Sequence, residues 1–122
     1  MTVVSRKYPA ADLFVAVEFA DSFFRRLKGL LGRSSLDVDE LLVFRKCNSI
    51  HTIGMRFEID IIFLDKQQKV VKLVKRLKPN RFAVAKGAVT VLEAKAGSIE
   101  EYNIEMNQEL LFRENDCVKN NI

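Results

Sequence analysis

The chain has 122 residues, of which 48% are hydrophobic and 30% charged, and its formal net charge is +4. This length suits one domain with a modest core, and the composition is that of an ordinary folded protein rather than a disordered one. No apolar stretch approaches the roughly 20 residues of a membrane-spanning helix, and the first residues lack the order of a secretory signal. We therefore expect a single domain over residues 1–122 and a cytoplasmic location.

The first half of the chain predicts a strand, a helix and a second strand. Residues 13–19 are rich in β-branched and aromatic types, which favours a strand. Residues 21–33 place apolar side chains on one helical face, and Gly32 suits the left-handed position that ends a helix. After a polar turn at 34–40, the apolar residues 41–44 predict a short buried strand.

The second half of the chain predicts further strands and a single helical turn. Residues 59–64 are apolar except for Asp60, as in a strand buried on both faces. Residues 69–78 have helical spacing, but their valines and the short turn before them favour a hairpin with 59–64. Ser98 and Glu101 fit a capping box at the start of a helical turn. We also expect strands within 88–97 and 109–113, and a frayed tail at 114–122.

Several motifs in a fixed order resemble a known family. They are GLLGR at 29–33, HT at 51–52, IDIIFLD at 59–65 and VLEAKAG at 91–97. Together they resemble the family named domain of unknown function 192, or uncharacterised protein family 0127, over about residues 12–113. The resemblance implies a β-sandwich of jelly-roll character and implies no reaction, because the family has no established activity.

The strand pattern itself predicts a mainly-β fold. Six or so short strands with one short amphipathic helix are typical of a β-sandwich or a partly open barrel. The fold class expected from pattern and resemblance together is a mainly-β, single-domain sandwich or partly open barrel of jelly-roll character.

Cys47 and His51 place a thiol four positions from the only histidine of the chain. An imidazole can accept a thiol proton, so the pair is a candidate for nucleophilic catalysis. The more ordinary interpretation is a half-buried thiol and a histidine bonded to backbone. A single histidine without paired cysteine motifs does not fit a zinc site, so we expect no metal and no cofactor.

Asp60 is the unusual residue of the most apolar strand. On a strand its side chain shares a face with Ile62 and Leu64. A carboxylate in such a place needs a partner. Arg33, Arg56 or a group of backbone amides are the candidate partners.

Glu93 raises the same question in a second apolar segment. If strands 59–64 and 88–94 are neighbours, Asp60, Glu93 and His51 line one polar spot on a sheet face. That spot is the expected binding site, because a few convergent polar groups in apolar surroundings are typical of ligand pockets. The candidate ligand-binding residues are His51, Thr52, Met55, Asp60 and Glu93.

These observations order three hypotheses for function. The first is a non-enzymatic module that uses loop 47–58 and nearby carboxylates to bind a small molecule or a protein segment. The second is an enzyme of unknown reaction that uses Cys47 with His51 or Asp60 with Glu93. The third is a basic adaptor for nucleic acid, because residues 66–86 contain eight basic residues and no acid.

The basic segment 66–86 has a simpler interpretation than nucleic-acid binding. The acidic residues of 93–116 can lie nearby and offset its charge. Phe82 is its only aromatic residue, so it lacks a platform for stacking bases. We therefore place nucleic acid last among the expected partners, and we expect no membrane contact.

Overall fold

A computed structural model describes residues 2–20 and 33–114 of the chain, and strands dominate both ranges. In these ranges no helix is long and apolar enough to cross a membrane. The predicted helix after residue 20, the tail after residue 114 and Cys117 lie outside the described residues. The elements are β1 (Thr2–Arg6), β2 (Ala11–Phe14), β3 (Ala16–Phe19), β4 (Glu40–Arg45), β5 (Ser49–His51), β6 (Ile59–Leu64), β7 (Val70–Leu77), β8 (Phe82–Val84), β9 (Thr90–Lys95), α1 (Ser98–Glu101) and β10 (Leu110–Glu114).

The strands form three sheets. The largest has five strands in the order β3-β4-β9-β6-β7, and its strands are antiparallel except for the parallel pair β3 and β4. A second sheet has the order β10-β1-β2, and β5 with β8 forms a two-stranded ribbon. Because none of these described sheets closes on itself, the mainly-β prediction is confirmed in its sandwich-like form.

The central strands β4, β9 and β6 of the five-stranded sheet are buried on both faces, and one apolar cluster lies on each side of the sheet. All six residues of β6 are buried, as the sequence predicts. The first core fills the space between this sheet and the three-stranded one; it includes Val4, Leu13, Phe14, Leu41, Val43, Ile62, Leu64, Leu92 and Ala94. The second core lies under the ribbon and its adjoining loops; it includes Leu36, Leu42, Phe44, Met55, Ile59, Ile61, Phe63, Ala83 and Val91.

The predicted hairpin of 59–64 with 69–78 is confirmed, because β6 and β7 pair antiparallel. Its turn is held by Asp65, whose Oδ1 accepts the N–H groups of Gln67 and Lys69 at 2.8 and 3.0 Å. Such local bonds from a short acidic side chain favour a turn over a continued strand. The predicted strands near 41–44, 88–97 and 109–113 are also present.

The predicted single strand over 13–19 is wrong, because the chain changes sheets at Val15. β2 pairs with β1 in the three-stranded sheet, whereas β3 pairs with β4 in the five-stranded sheet. β-Branched residues favour strand without specifying which sheet the strand joins. β1 itself was not expected from the sequence.

Candidate functional site

Asp60 is fully buried in β6, and both of its carboxylate oxygens accept backbone N–H groups. Oδ1 accepts the N–H of Arg76 at 2.9 Å, and Oδ2 accepts those of Gly97 at 3.1 Å and Ile99 at 2.9 Å. Of the predicted partners, backbone amides are therefore correct. Arg33 instead donates to both carboxylate oxygens of Glu40. Three donors from two separate segments make Asp60 a structural link between them.

A β-bulge lies opposite Asp60. The register between β6 and β7 shifts between Ile59 and Ile61, so two residues of β7, Lys75 and Arg76, face Asp60 alone. Arg76 has a φ of 53°, in the left-handed region that bulky side chains rarely adopt. The hydrogen bond from its N–H to Asp60 holds this conformation in place.

Asp60 also supplies the cap of helix α1. Gly97 occupies the N-cap position with a φ of 97°, and it has no side chain to bond the exposed amides. The Asp60 carboxylate accepts the amides of Gly97 and Ile99 instead. The predicted capping box of Ser98 with Glu101 is wrong, because Gly97 is the N-cap and the helix therefore begins one residue earlier than that motif requires. The buried Ser98 hydroxyl has no hydrogen-bond partner among the described residues.

Glu93 lies on the opposite face of the sheet from Asp60. β6 and β9 are neighbours, as expected, but Asp60 pairs with Ala94. Because adjacent residues of a strand point to opposite faces, Asp60 faces the first core and Glu93 the second. The single polar spot expected from the sequence is therefore wrong, because the register places its two carboxyl groups on different faces.

Glu93 is surrounded by apolar side chains. It is only 4% exposed, and its cross-strand neighbours Leu42 and Ile61 both belong to the second core. No hydrogen bond or ion pair joins its carboxyl group to any other residue that the structure describes. Desolvation by burial raises the pKa of the Glu93 carboxyl to about 8, so the group is mostly neutral at pH 7.

Thr52 and Met55, two further candidates, are both buried beneath the ribbon. Thr52 is fully buried, and its hydroxyl donates to the Lys78 carbonyl at 2.6 Å and accepts the Arg81 N–H at 2.9 Å. Met55 is part of the second core. Both side chains therefore support the fold, with Thr52 fixing the turn that leads into β8.

His51 is exposed on β5 and does not contact the thiol of Cys47. Its Nδ1 accepts the N–H of Ile53 at 3.3 Å, and its ring centroid lies 6.3 Å from that of Phe82. The Cys47 thiol donates to the Ser49 carbonyl at 3.0 Å. A thiol bonded to a carbonyl has no base to take its proton, so this arrangement gives no support to a nucleophilic pair. Within residues 2–20 and 33–114, no group of histidine, cysteine and acidic side chains could hold a metal ion.

The ribbon of β5 and β8 presents an exposed outer face. His51 pairs with Phe82, and Ser49 pairs with Val84. All four side chains are exposed, Phe82 to 74% and Val84 to 59%. The alternate residues of both strands belong to, or pack against, the second core. The ribbon therefore combines an aromatic, an aliphatic and an imidazole group on one solvent-facing surface.

The backbone of β5 also points hydrogen-bonding groups outward. In an antiparallel pair, residues that exchange hydrogen bonds alternate with residues whose N–H and C=O groups point away from the partner strand. Thr52 donates its N–H to the Arg81 carbonyl, which marks that pair as hydrogen-bonded. The next pair, His51 with Phe82, is therefore of the outward-pointing kind. The same holds for Ser49, two residues earlier.

The two edges of the ribbon differ. On the β8 side, the ammonium group of Lys72 donates to the outward carbonyl of Val84 at 2.7 Å. Lysine placed against a sheet edge is a common means of blocking it. On the β5 side, no other strand in the described part of the chain pairs with Ser49 or His51. The edge of β5 is therefore the open one.

The basic segment 66–86, which contains β7 and β8, lies beside part of the acidic segment, as expected, because Lys69 forms a β-bridge with Glu109. In the described residues none of the eight cations forms an ion pair. Ion pairs elsewhere in the described residues include Lys7 with Glu109, Arg33 with Glu40 and Arg113 with Asp12. Beside the ribbon, Arg81 and Lys86 are exposed and form no ion pair with a described residue.

Comparison with known proteins gives the family. The profile of DUF192, described as "Uncharacterized ACR", matches residues 6–112. The chain belongs to the DUF192 family. A UPF0127 protein of Thermococcus sibiricus is 41% identical over 101 residues, which are 77% of this chain and 64% of that protein. A UPF0127 protein of Pyrococcus furiosus is 37% identical over 106 residues, which are 81% of this chain and 88% of that protein.

This chain spans less than two thirds of the Thermococcus sibiricus relative. Two crystal structures share the fold. One is a protein of unknown function from Novosphingobium aromaticivorans, with a TM-score of 0.78 and 20% identity. The match covers 89% of this chain and 83% of the Novosphingobium chain. The other is a Sinorhizobium meliloti protein provisionally described as a transcription regulator, with a TM-score of 0.78 and 17% identity. The match covers 92% of this chain and 94% of the Sinorhizobium chain. At such low identity these two support the DUF192 fold alone, and the family is uncharacterised.

Proposed function

We propose that the protein binds an extended, acidic segment of another protein along the open edge of β5. The observation that carries the proposal is the outer face of the ribbon. Phe82 and Val84 are exposed there beside the outward backbone groups of Ser49 and His51. A segment added as a third strand would bond those backbone groups, and its alternate side chains would extend the apolar face.

The charge around the ribbon determines the chemistry of this partner. Arg81 directly precedes Phe82, and Lys86 lies two residues after Val84. Neither cation forms an ion pair with another described residue. An acidic segment is attracted to such a surface from a distance and is held in register there, while a basic segment is repelled.

The placement of the other candidates favours binding over catalysis. Asp60 is committed to three backbone amides, and Glu93 lies on the far face of the same sheet. Cys47 bonds a carbonyl rather than His51. No pair among these groups is arranged to exchange a proton over a shared substrate, whereas the ribbon offers an exposed apolar surface and the outward N–H and C=O groups of His51.

A labelled peptide tests the proposal directly. A fluorescein-labelled Glu-Val-Glu-Phe-Glu-Val-Glu peptide should bind saturably by fluorescence anisotropy at low salt. F82S should weaken binding by roughly tenfold or more, because it removes the main apolar contact. V38S changes another exposed side chain (43% exposed) away from the ribbon, so it should leave the affinity unchanged.

A pair of substitutions at His51 separates backbone bonding from side-chain contact. H51A keeps the outward N–H group, whereas H51P removes it at an edge position that tolerates proline. H51P should therefore bind the acidic peptide much more weakly than H51A. Equal affinities for these two variants, or equal binding of a Lys-Val-Lys-Phe-Lys-Val-Lys peptide, would contradict strand addition. Salt-dependent binding of oligothymidine in place of the acidic peptide would favour the nucleic-acid adaptor.

We further infer that this binding takes place in the cytoplasm. Cys47 is a free, half-buried thiol, which suits a reducing compartment. Fluorescence microscopy of the tagged protein in its own cells checks the location, and a signal at the cell surface would contradict it.

A further inference from the structure

A concavity of about 490 Å³ lies where β7, the end of β9 and α1 meet. Its lining includes Arg76, Lys95, Gly97, Ser98 and Glu101. None of these residues belongs to the ribbon, so this concavity is separate from the surface assigned to the protein partner.

The bulge in β7 directs the Arg76 side chain toward this concavity. Bulges commonly redirect a side chain at a sheet edge, and β7 is the edge of the five-stranded sheet. The Arg76 Nη2 atom lies 3.3 Å from the position that a Cβ atom on Gly97 would occupy. Glycine therefore leaves room for the guanidinium to lie across the backbone. Asp60 holds the backbone of both residues in place, because its carboxylate accepts the N–H groups of Arg76 and Gly97.

The cationic groups of the concavity have no partner in the described residues. The side chains of Arg76 and Lys95 form no hydrogen bond or ion pair there. The Ser98 hydroxyl, in the same wall, is likewise without a partner among those residues. The amides of Gly97 and Ile99 are already bonded to Asp60, so they do not compete for a ligand. Any anion would thus be held by side chains.

We propose that this concavity binds a small oxyanion group, a carboxylate or a phosphate, between the Arg76 guanidinium and the Lys95 ammonium. A guanidinium offers two parallel N–H donors that match two oxygens of such a group. Left-handed backbone at a bulky residue persists where its surroundings hold it, and it is concentrated at ligand sites. Asp60 acts here as a positioning residue, because it sets the backbone of Arg76 and touches no ligand.

Two acidic residues limit the charge of the ligand. Glu100 and Glu101 line the helix side of the concavity, opposite in sign to Arg76 and Lys95. They repel an anion that carries several charges. Removing one of them, as in E101Q, should therefore tighten the binding of the oxyanion.

NMR titration of ¹⁵N-labelled protein tests this site with inorganic phosphate and with acetate, at constant ionic strength set by sodium chloride. At least one of the two anions should give saturable shifts at the Gly97 and Ser98 amides and at the Arg76 Nε–H. R76Q should weaken that binding by roughly tenfold or more, and K95Q by a smaller factor. K66Q removes the same charge in the β6–β7 turn and serves as the matched control, with unchanged affinity.

Other results would overturn the assignment. Shifts that rise linearly with both anions, or that persist equally in R76Q, would show only weak adsorption to a basic surface. The dispersion of the R76Q spectrum checks that the variant is folded, so a loss of binding is not a loss of structure. F82S should leave the titration unchanged, which keeps this result independent of the ribbon.

Discussion

Asp60 and Glu93 are two buried carboxyl groups on opposite faces of one sheet, and their surroundings differ completely. Asp60 meets three converging N–H donors, whereas Glu93 meets apolar side chains and no donor among the described residues. Burial is nearly the same for both, at 0% and 4% exposure. The available N–H donors, rather than the depth of burial, therefore decide what each buried acid does. Asp60 joins β7 to the start of α1, whereas Glu93 makes the stability of the fold depend on pH.

Removing the Asp60 carboxylate should have the largest effect. D60A leaves the N–H groups of Arg76, Gly97 and Ile99 without an acceptor, and each buried orphan donor costs about 1–3 kcal/mol. We expect the free energy of unfolding to fall by about 3–6 kcal/mol in urea denaturation. The free energy of unfolding of D60N should fall less, since its side-chain amide oxygen can still accept backbone N–H groups. A loss below about 1 kcal/mol in D60A would show that the amides find other partners.

Replacing Glu93 should change the free energy of unfolding in the opposite direction, as an increase. The pKa of about 8 in the folded protein lies above the ordinary 4.5, so the folded state holds the proton more tightly than the unfolded chain. The free energy of unfolding therefore falls as pH rises from about 4.5 to about 8. Below about pH 4.5 the Glu93 carboxyl is protonated in both states, so the stabilisation that comes from its neutral form is fully present there. E93M removes this dependence and should be more stable than wild type at pH 8 by about 1–3 kcal/mol.

Urea denaturation of wild type and E93M at pH 5, 6.5 and 8 measures this difference. The two curves should converge at pH 5 and separate at pH 8. Parallel curves at all three values would mean that Glu93 is ionised at little cost in the folded protein, and the contrast with Asp60 would then be lost.

Thr52 is a third buried polar group, on the same side of the sheet as Glu93, and its hydroxyl has hydrogen-bond partners. T52V keeps the shape but leaves the Lys78 carbonyl and the Arg81 N–H without their partner. We expect a loss of about 1–3 kcal/mol in thermal or urea unfolding. A neutral T52V would indicate that water replaces the hydroxyl at the turn.

Ser98 should give the smallest effect. Its buried hydroxyl has no partner in the described structure, so S98A should change the free energy of unfolding by no more than about 0.5 kcal/mol. A capping serine would instead cost about 1 kcal/mol when replaced. Measuring S98A beside D60A therefore shows which of the two side chains caps α1.

The sequence predicts strands and their pairing well where the pattern is strong. The apolar run 59–64 specifies a doubly buried strand, and the polar turn after it specifies a hairpin. Asp60 is recognisable from the sequence as a residue that needs a partner, and its face is predicted correctly beside Ile62 and Leu64. These features depend on residues that are close together in the sequence, so the periodicity of apolar residues is enough to predict them.

Register and sheet membership could not be predicted in the same way. A shift of one residue between β6 and β9 would have placed Asp60 and Glu93 on one face. The cap of α1 comes from a residue 39 positions from Ile99, a distance that local motifs do not cover. The bulge at Arg76 is likewise invisible in the alternation of β7, although it directs the side chain that the anion site requires.

The passage of the chain from one sheet to the other at Val15 has a consequence for how the molecule opens. β2 and β3 follow each other with one residue between them, yet each is hydrogen-bonded into a different layer. A force or a fluctuation that separates the two layers must therefore break the backbone hydrogen bonds of β2 with β1 or of β3 with β4. The layers are coupled as one cooperative unit, so the amides of β1 and β4 should exchange with deuterium together rather than in sequence.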